Sequence, residues 1–230
     1  MADTNTEIME LLKNSSPLGW VLEPDAKRIF SLSGLDVPNY TVAKNLDEAL
    51  HFAHEIGYPV VAKVVSPKIL HKSDVMGVVV GIEDYGELVK IYQRLSRLQG
   101  FTGMLVEELV AGLELIVGAK IDYQFGPMIL LGMGGTGVEI YQDVSLRMAP
   151  LTHHDCESMA DGLKASKLLK GYRGSEPIHM GRLIDTLMAF SSLVMEYHEL
   201  IESIDLNPLM CTAKRCVIAD ARIMLRQETD

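Results

Sequence analysis

Lys63 sits inside Pro59-Val60-Val61-Ala62-Lys63-Val64-Val65, an apolar and mostly β-branched run. An unpaired ammonium there would be costly, so either a phosphate or a carboxylate meets it, or its stem is buried and its head reaches water. His71 lies in the polar stretch Ile69-Leu70-His71-Lys72-Ser73-Asp74. An exposed loop histidine is often merely solvated. Imidazole is also a competent phosphoryl acceptor, because a reference pKa of about 6.5 leaves much of it neutral and nucleophilic near pH 7.

Three further groups of residues could contribute. Glu107-Glu108-Leu109-Val110, with Gly112 and Glu114 after it, offers acceptors and backbone amides that could read an adenine edge and a ribose, or could form an ordinary solvated turn. The run Gly132-Met133-Gly134-Gly135-Thr136-Gly137 could let backbone N–H groups approach phosphate oxygens, since glycine has no side chain to block them. It is not a Walker A loop, because no Gly-Lys-Ser/Thr ends it. Asn207 and Asp220 are hard oxygen donors, and a pair of these suits magnesium, which shares its remaining positions with water and phosphates.

The elements that must position these groups are read from periodicity. Apolar spacing of 3–4 residues predicts helices over 24–33, 45–56, 85–98, 154–163 and 179–200. Alternating or β-branched runs predict strands over 59–65, 77–82, 103–108, 114–121, 127–133, 201–205 and 216–223. The first two strands are expected to be antiparallel neighbours. Residues 132–137 are too glycine-rich for helix or strand, and proline after Asn207 makes a turn there credible.

At 230 residues and 48% hydrophobic, the chain can build a sizeable core as one large domain or two small ones. Its 31 acidic against 21 basic side chains give a formal charge of -10, which disfavours nucleic acid and anionic membranes as partners. There is no signal-like start and no apolar run long enough to span a bilayer, so a cytoplasmic location is expected. Cys156, Cys211 and Cys216 lack metal-ligand spacing and are odd in number, so neither a zinc site nor a disulfide framework is indicated. The other histidines form no constellation.

Taken in order, these pieces resemble the ATP-grasp fold. More narrowly they resemble the beta subunits of ADP-forming acetyl-CoA or acyl-CoA synthetases, relatives of succinyl-CoA synthetase. The stretches carrying the resemblance include residues 57–63, His71-Lys72-Ser73-Asp74-Val75, Phe125-Gly126-Pro127, residues 141–151, Gly171-Tyr172-Arg173-Gly174, Asp205-Leu206-Asn207-Pro208-Leu209 and Asp220-Ala221-Arg222. The resemblance covers about 18–225. It implies an α/β (α+β) protein with two mixed subdomains and the nucleotide in the cleft between them. The division expected is an N-terminal extension over 1–17, a first subdomain over 18–108 with the histidine loop at 66–76, and a second over 109–230.

Carried onto matching positions, the resemblance gives Lys27 and Lys63 to phosphates, Glu107, Glu108, Leu109 and Val110 to the adenine hinge, and Glu114 to the ribose. Asn207 and Asp220 would bind Mg2+, and Arg222 would touch the transferring phosphate of ATP or ADP. His71 would pass a phosphoryl group between the nucleotide and a second phosphorylated histidine on an alpha subunit that also carries the CoA site, in an α2β2 assembly. The chain departs from the pattern at Met76, which stands where the family has the first glycine of Asp-Val-Gly-Gly-Val. A free-standing ATP-grasp carboxylate ligase and a non-catalytic nucleotide-sensing module are the rival readings.

Overall fold

The computed structural model describes residues 4–135 and 142–227. It divides into two compact units: 38–110 is one, and 1–37 together with 111–230 is the other.

The smaller unit is a four-stranded antiparallel sheet with two helices. Its strands are β2 (Tyr40–Ala43), β3 (Val60–Val65), β4 (Val78–Ile82) and β5 (Gly103–Glu108), in the order β2-β5-β3-β4. Asn45 and Asp84 start helices α3 (Leu46–Ile56) and α4 (Tyr85–Leu95) by accepting from the amides of Glu48 and Glu87, so one otherwise orphaned donor is satisfied at each start. Gly57, at φ 84°, ends α3. Val60, Ala62 and Val64 on β3 join Met104 and Val106 on β5 in a core with Ala49 and Ala53 of α3 and Leu88, Ile91 and Leu95 of α4. Since strand side chains alternate, Lys63 and Glu107 belong to the opposite face. As expected, β3 and β4 are antiparallel neighbours, with Lys63 opposite Val78.

The larger unit is a seven-stranded antiparallel sheet. It comprises β1 (Trp20–Val21), β6 (Leu113–Asp122), β7 (Gly126–Met133), β8 (Val144–Met148), β9 (Ile201–Cys211), β10 (Cys216–Ile218) and β11 (Ala221–Leu225). The order is β1-β11-β9-β6-β7-β8, with β10 also paired to β9. Helices α1 (Thr4–Ser15), α2 (Glu23–Leu32), α5 (His153–Asp161), α6 (Ser166–Leu169) and α7 (Met180–Tyr197) complete it. The turn between β6 and β7 is held by the Asp122 carboxylate, which accepts from the amides of Gln124 and Phe125. A capping box between Thr152 and Asp155 starts α5. Leu115, Val117, Ile129, Leu131, Ile204, Leu206 and Ile223 pack in one core with Phe30 of α2, Met159 of α5 and Leu187 and Phe190 of α7.

The division differs from the expected one near the N-terminus. Residues 18–37 belong with 111–230, because β1 pairs with β11 (Trp20 opposite Met224) and α2 packs on the same sheet. Residues 4–15, read as an extension, form a helix whose Ile8 and Leu12 enter the larger core. Several elements are also longer, shorter or additional. Strand β9 runs on through Asn207 and Pro208 to Cys211 instead of turning there, and residues 216–223 split into β10 and β11. The short strands β1, β2 and β8 were not anticipated. Residues 132 and 133 belong to β7, and 136 and 137 of the expected glycine loop lie outside the described residues.

Phe190 is fully buried where α7 meets the sheet. Phe190→Ala should lower unfolding free energy by about 3–5 kcal/mol, read from the shift in urea midpoint at constant slope.

Candidate functional site

The larger sheet turns one face to its helices and leaves the other open. On β9, Ile204, Leu206 and Leu209 are buried while Asp205 and Asn207 are exposed. On β6, Leu115 and Val117 face the core, so Glu114, Ile116 and Gly118 share the open side. Asp205 stands directly opposite both Gly118 and Arg222. The register between β6 and β9 shifts at Leu115/Val117, where Asn207 and Pro208 together oppose Ile116.

This face brings Glu114, Asn207 and Arg222 together on three adjacent strands. With about 3.3 Å per residue and about 4.8 Å between strands, backbone separations are on the order of 11 Å from Glu114 to Asn207 and 8 Å from Asn207 to Arg222. Asp220 sits in the turn between β10 and β11 and is joined to Asn207 directly: the Asn207 amide donates to its carbonyl at 3.1 Å, and the Ala219 amide donates to Pro208 O at 3.0 Å. Glu114 is anchored through its own carbonyl, which accepts from the Gly134 amide at 2.7 Å. A Cβ on Gly134 would stand 2.7 Å from the Glu114 backbone, so only glycine allows this approach.

Asp205 belongs to the same face and was not singled out from the sequence. Although the residue is exposed as a whole, partial desolvation of its carboxyl raises it from the ordinary carboxylate value, Arg222 opposes that rise and Asp220 adds to it. The alternation Asp205-Leu206-Asn207 was the signal that could have found it.

Lys27 is placed differently from the phosphate-holding position the resemblance implies. It is fully buried, with its ammonium 3.0 Å from Ala219 O, 3.4 Å from Ile218 O and 3.5 Å from the Glu23 carboxylate. The cause is local. Residues 23 and 27 lie one turn apart on the face of α2 that packs on the sheet, so both charges are carried into the interior together.

In the smaller unit, the anion that meets Lys63 is the carboxylate of Glu107, at 2.9 Å with both side chains buried. Val61 pairs with Glu107 and Lys63 with Leu105, so the two charges are diagonal neighbours across β3 and β5. Glu107 is thus turned into the sheet face, while Glu108 accepts from the amide and the side chain of Asn39 at 3.3 Å. Leu109 and Val110 follow at the strand end, half-buried.

His71 is exposed and precedes a single 3-10 turn over Lys72–Val75. That segment is bonded to itself: Asp74 N to His71 O at 3.3 Å, Met76 N to Ser73 O at 3.1 Å and Gly77 N to Lys72 O at 2.7 Å. Its base is tied by Ser66 Oγ donating to Gln99 O at 2.7 Å and by Arg94 Nη1 donating to Met76 O at 2.9 Å. Met76 adopts φ 50°, a left-handed conformation that costs a non-glycine residue roughly 1–2 kcal/mol. Among the described residues, no helix is long and apolar enough to cross a membrane.

A mixed sheet-and-helix chain with oxygen donors and an arginine on an open antiparallel face belongs to a known class: residues 14–225 match the ATP-grasp domain family, and the chain is a member of it. The beta subunit of acetate–CoA ligase [ADP-forming] I from Pyrococcus furiosus is 39% identical over 228 residues, covering 95% of this chain and 97% of the relative. Acetate–CoA ligase [ADP-forming] I from Archaeoglobus fulgidus is also 39% identical, over 96% of this chain, but the match spans only 33% of that longer protein. Among solved structures is acetyl-coenzyme A synthetase 1 of Ca. Korarchaeum cryptofilum, in complex with coenzyme A and Mg-AMPPCP and with its phosphohistidine segment pointing towards the nucleotide binding site. It superposes with a TM-score of 0.84 at 40% identity, covering 95% of this chain and all of that one. The chain therefore belongs, within the ATP-grasp proteins, to the family of beta subunits of ADP-forming acetate–CoA ligases.

Removing one partner of the Lys63–Glu107 pair leaves the other charge buried without it. Glu107→Ala should cost about 3–5 kcal/mol of stability, whereas Lys63→Met combined with Glu107→Gln should be close to neutral. Urea unfolding of the three proteins checks this.

Proposed function

We propose that this chain is the nucleotide-binding subunit of an ADP-forming acyl-CoA ligase, exchanging a phosphoryl group between His71 and ADP. The observation that carries the reading is His71 itself: an exposed imidazole at the head of a short, self-bonded segment, in a chain that aligns along almost the whole length of a beta-subunit relative.

In the ATP-forming direction, the bond between phosphorus and the phosphohistidine nitrogen breaks as a terminal oxygen of ADP bonds to phosphorus. The nitrogen keeps the electron pair and the imidazole is regenerated. The reverse step charges His71 from ATP. The transferring group spreads negative charge over three oxygens, so catalysis is mainly a matter of positioning and of surrounding it with positive charge and donors. Arg222 on the open face of β11 supplies a guanidinium, and Lys63 is held ready by Glu107. Glu114 accepts from the ribose hydroxyls, and the strand-end backbone at Glu108, Leu109 and Val110 reads the adenine edge.

The donors Asn207 and Asp220 fit magnesium: a carboxamide and a carboxylate oxygen, fixed to each other through the backbone, leave room for water and phosphate oxygens. Bound there, the metal would neutralise phosphate charge. The acyl and CoA chemistry belongs to an alpha subunit, corresponding to the two thirds of the longer A. fulgidus relative that this chain does not match. An α2β2 assembly is the arrangement proposed.

Incubated with γ-labelled ATP, magnesium and the co-purifying partner, the wild-type chain should acquire acid-labile, base-stable phosphate and catalyse exchange between ADP and ATP. His71→Ala should lose both by at least a hundredfold while still binding ADP. Persistent labelling of the His71→Ala chain would rule the assignment out.

A further inference from the structure

Lys27 and Glu23 form a buried ion pair whose stabilising value is small or negative, since well-packed neutral side chains of similar volume generally do as well. Their position offers another reason for them. The two carbonyls that accept from Lys27 are those of Ile218 and Ala219, the residues immediately before Asp220. The Ala219 carbonyl and the Asp220 amide share one rigid peptide plane, so a donor fixed on Ala219 O fixes that plane. The plane on the other side of Asp220 is fixed by the Asn207 amide, which donates to Asp220 O at 3.1 Å. Both planes flanking Asp220 are thus pinned, one by Lys27 and one by Asn207, and together they set the direction in which the Asp220 side chain leaves the backbone.

We infer that Lys27 is a positioning residue: its buried ammonium, held by Glu23, fixes the 218–220 turn and thereby aims the Asp220 carboxylate, with Asn207, at a nucleotide-bound divalent cation. The inference rests on the proposed metal-binding role of Asn207 and Asp220. With its ammonium engaged by Glu23 and two carbonyls, Lys27 acts through the turn, and loss of its donors frees the peptide plane between Ala219 and Asp220 to tilt while the Asn207 amide still holds the plane beyond it.

The test is Mn2+ binding by the full chain, with whatever partner accompanies it, followed by the electron paramagnetic resonance of free Mn2+ in the presence of saturating ADP. Glu23→Gln combined with Lys27→Met removes both charges at once and avoids a lone buried ion. It should keep the wild-type thermal midpoint within a few degrees and bind ADP without metal as the wild type does. Its Mn2+ affinity should fall by about 10–100-fold, the usual effect of removing a group that orients a metal ligand. Less than a fivefold change in a folded protein overturns the inference. If the double variant does not fold, Lys27→Gln, neutral and one atom too short to reach both carbonyls, is judged by the same fivefold threshold. Asp220→Asn serves as the reference: if Mn2+ affinity survives that change, the metal site itself is misassigned, whereas loss with Asp220→Asn and none with the Lys27 variants removes only the role given to Lys27.

Discussion

Alternation along β9 is the constraint on which the rest of the molecule depends. Ile204, Leu206 and Leu209 must face the helices to close the larger core, and that leaves Asp205 and Asn207 no choice but the open side. A slip of one residue in the pairing with β6 or β11 would turn the donors inward and the aliphatics outward, so burial enforces the register and the register enforces the site. The pairing yields at Leu115/Val117 on the β6 side, where Asn207 and Pro208 face Ile116, and at Met224/Leu225 on the β11 side. Hydrophobic packing and the proposed cation donor thereby share the same strand.

Two lysines carried into apolar surroundings are handled in the same way, one in each unit. Lys63 is met across the sheet by Glu107, and Lys27 is met one helical turn away by Glu23 and by backbone carbonyls. In both cases the carboxylate does more than neutralise. It fixes where the ammonium points, which a water-exposed lysine with four rotatable bonds cannot do for itself. Each ammonium is thereby held in one place, Lys63 by its carboxylate and Lys27 by its carboxylate and two carbonyls.

Much of this was legible in the sequence where a single local pattern decided the outcome. The helices α3 and α4 carry their own caps and apolar spacing, β3 is a β-branched run, and β5 is a short apolar run ending in two carboxylates, so these appear within a few residues of their expected bounds. Donor chemistry singled out Asn207 and Asp220 together, and the structure joins their backbones by one hydrogen bond; desolvation pointed to an anion at Lys63, and Glu107 supplies it. What stayed hidden depended on partners far along the chain. Trp20–Val21 is too short to be recognised as a strand and is one only because β11 pairs with it. Lys27 reads as part of a polar helix face, and nothing local reveals that the face lies against the turn before Asp220. The strand expected over 201–205 stops short because proline after Asn207 commonly signals a turn, whereas Pro208 sits at the register shift and β9 continues past it.

The larger unit is assembled from two stretches separated by the whole of the smaller one. On a ribosome the run 38–110 is complete early and has all its strand partners in hand. Trp20 and Val21 must wait for Met224 and Ile223, and Lys27 for the carbonyls of Ile218 and Ala219, a delay of roughly 10–40 s at ordinary elongation rates of about 5–20 residues per second. During that interval the apolar faces of α1 and α2 have no sheet to cover them. The smaller unit is therefore the natural first-formed body during synthesis, and the larger one closes only when nearly the last strand has emerged.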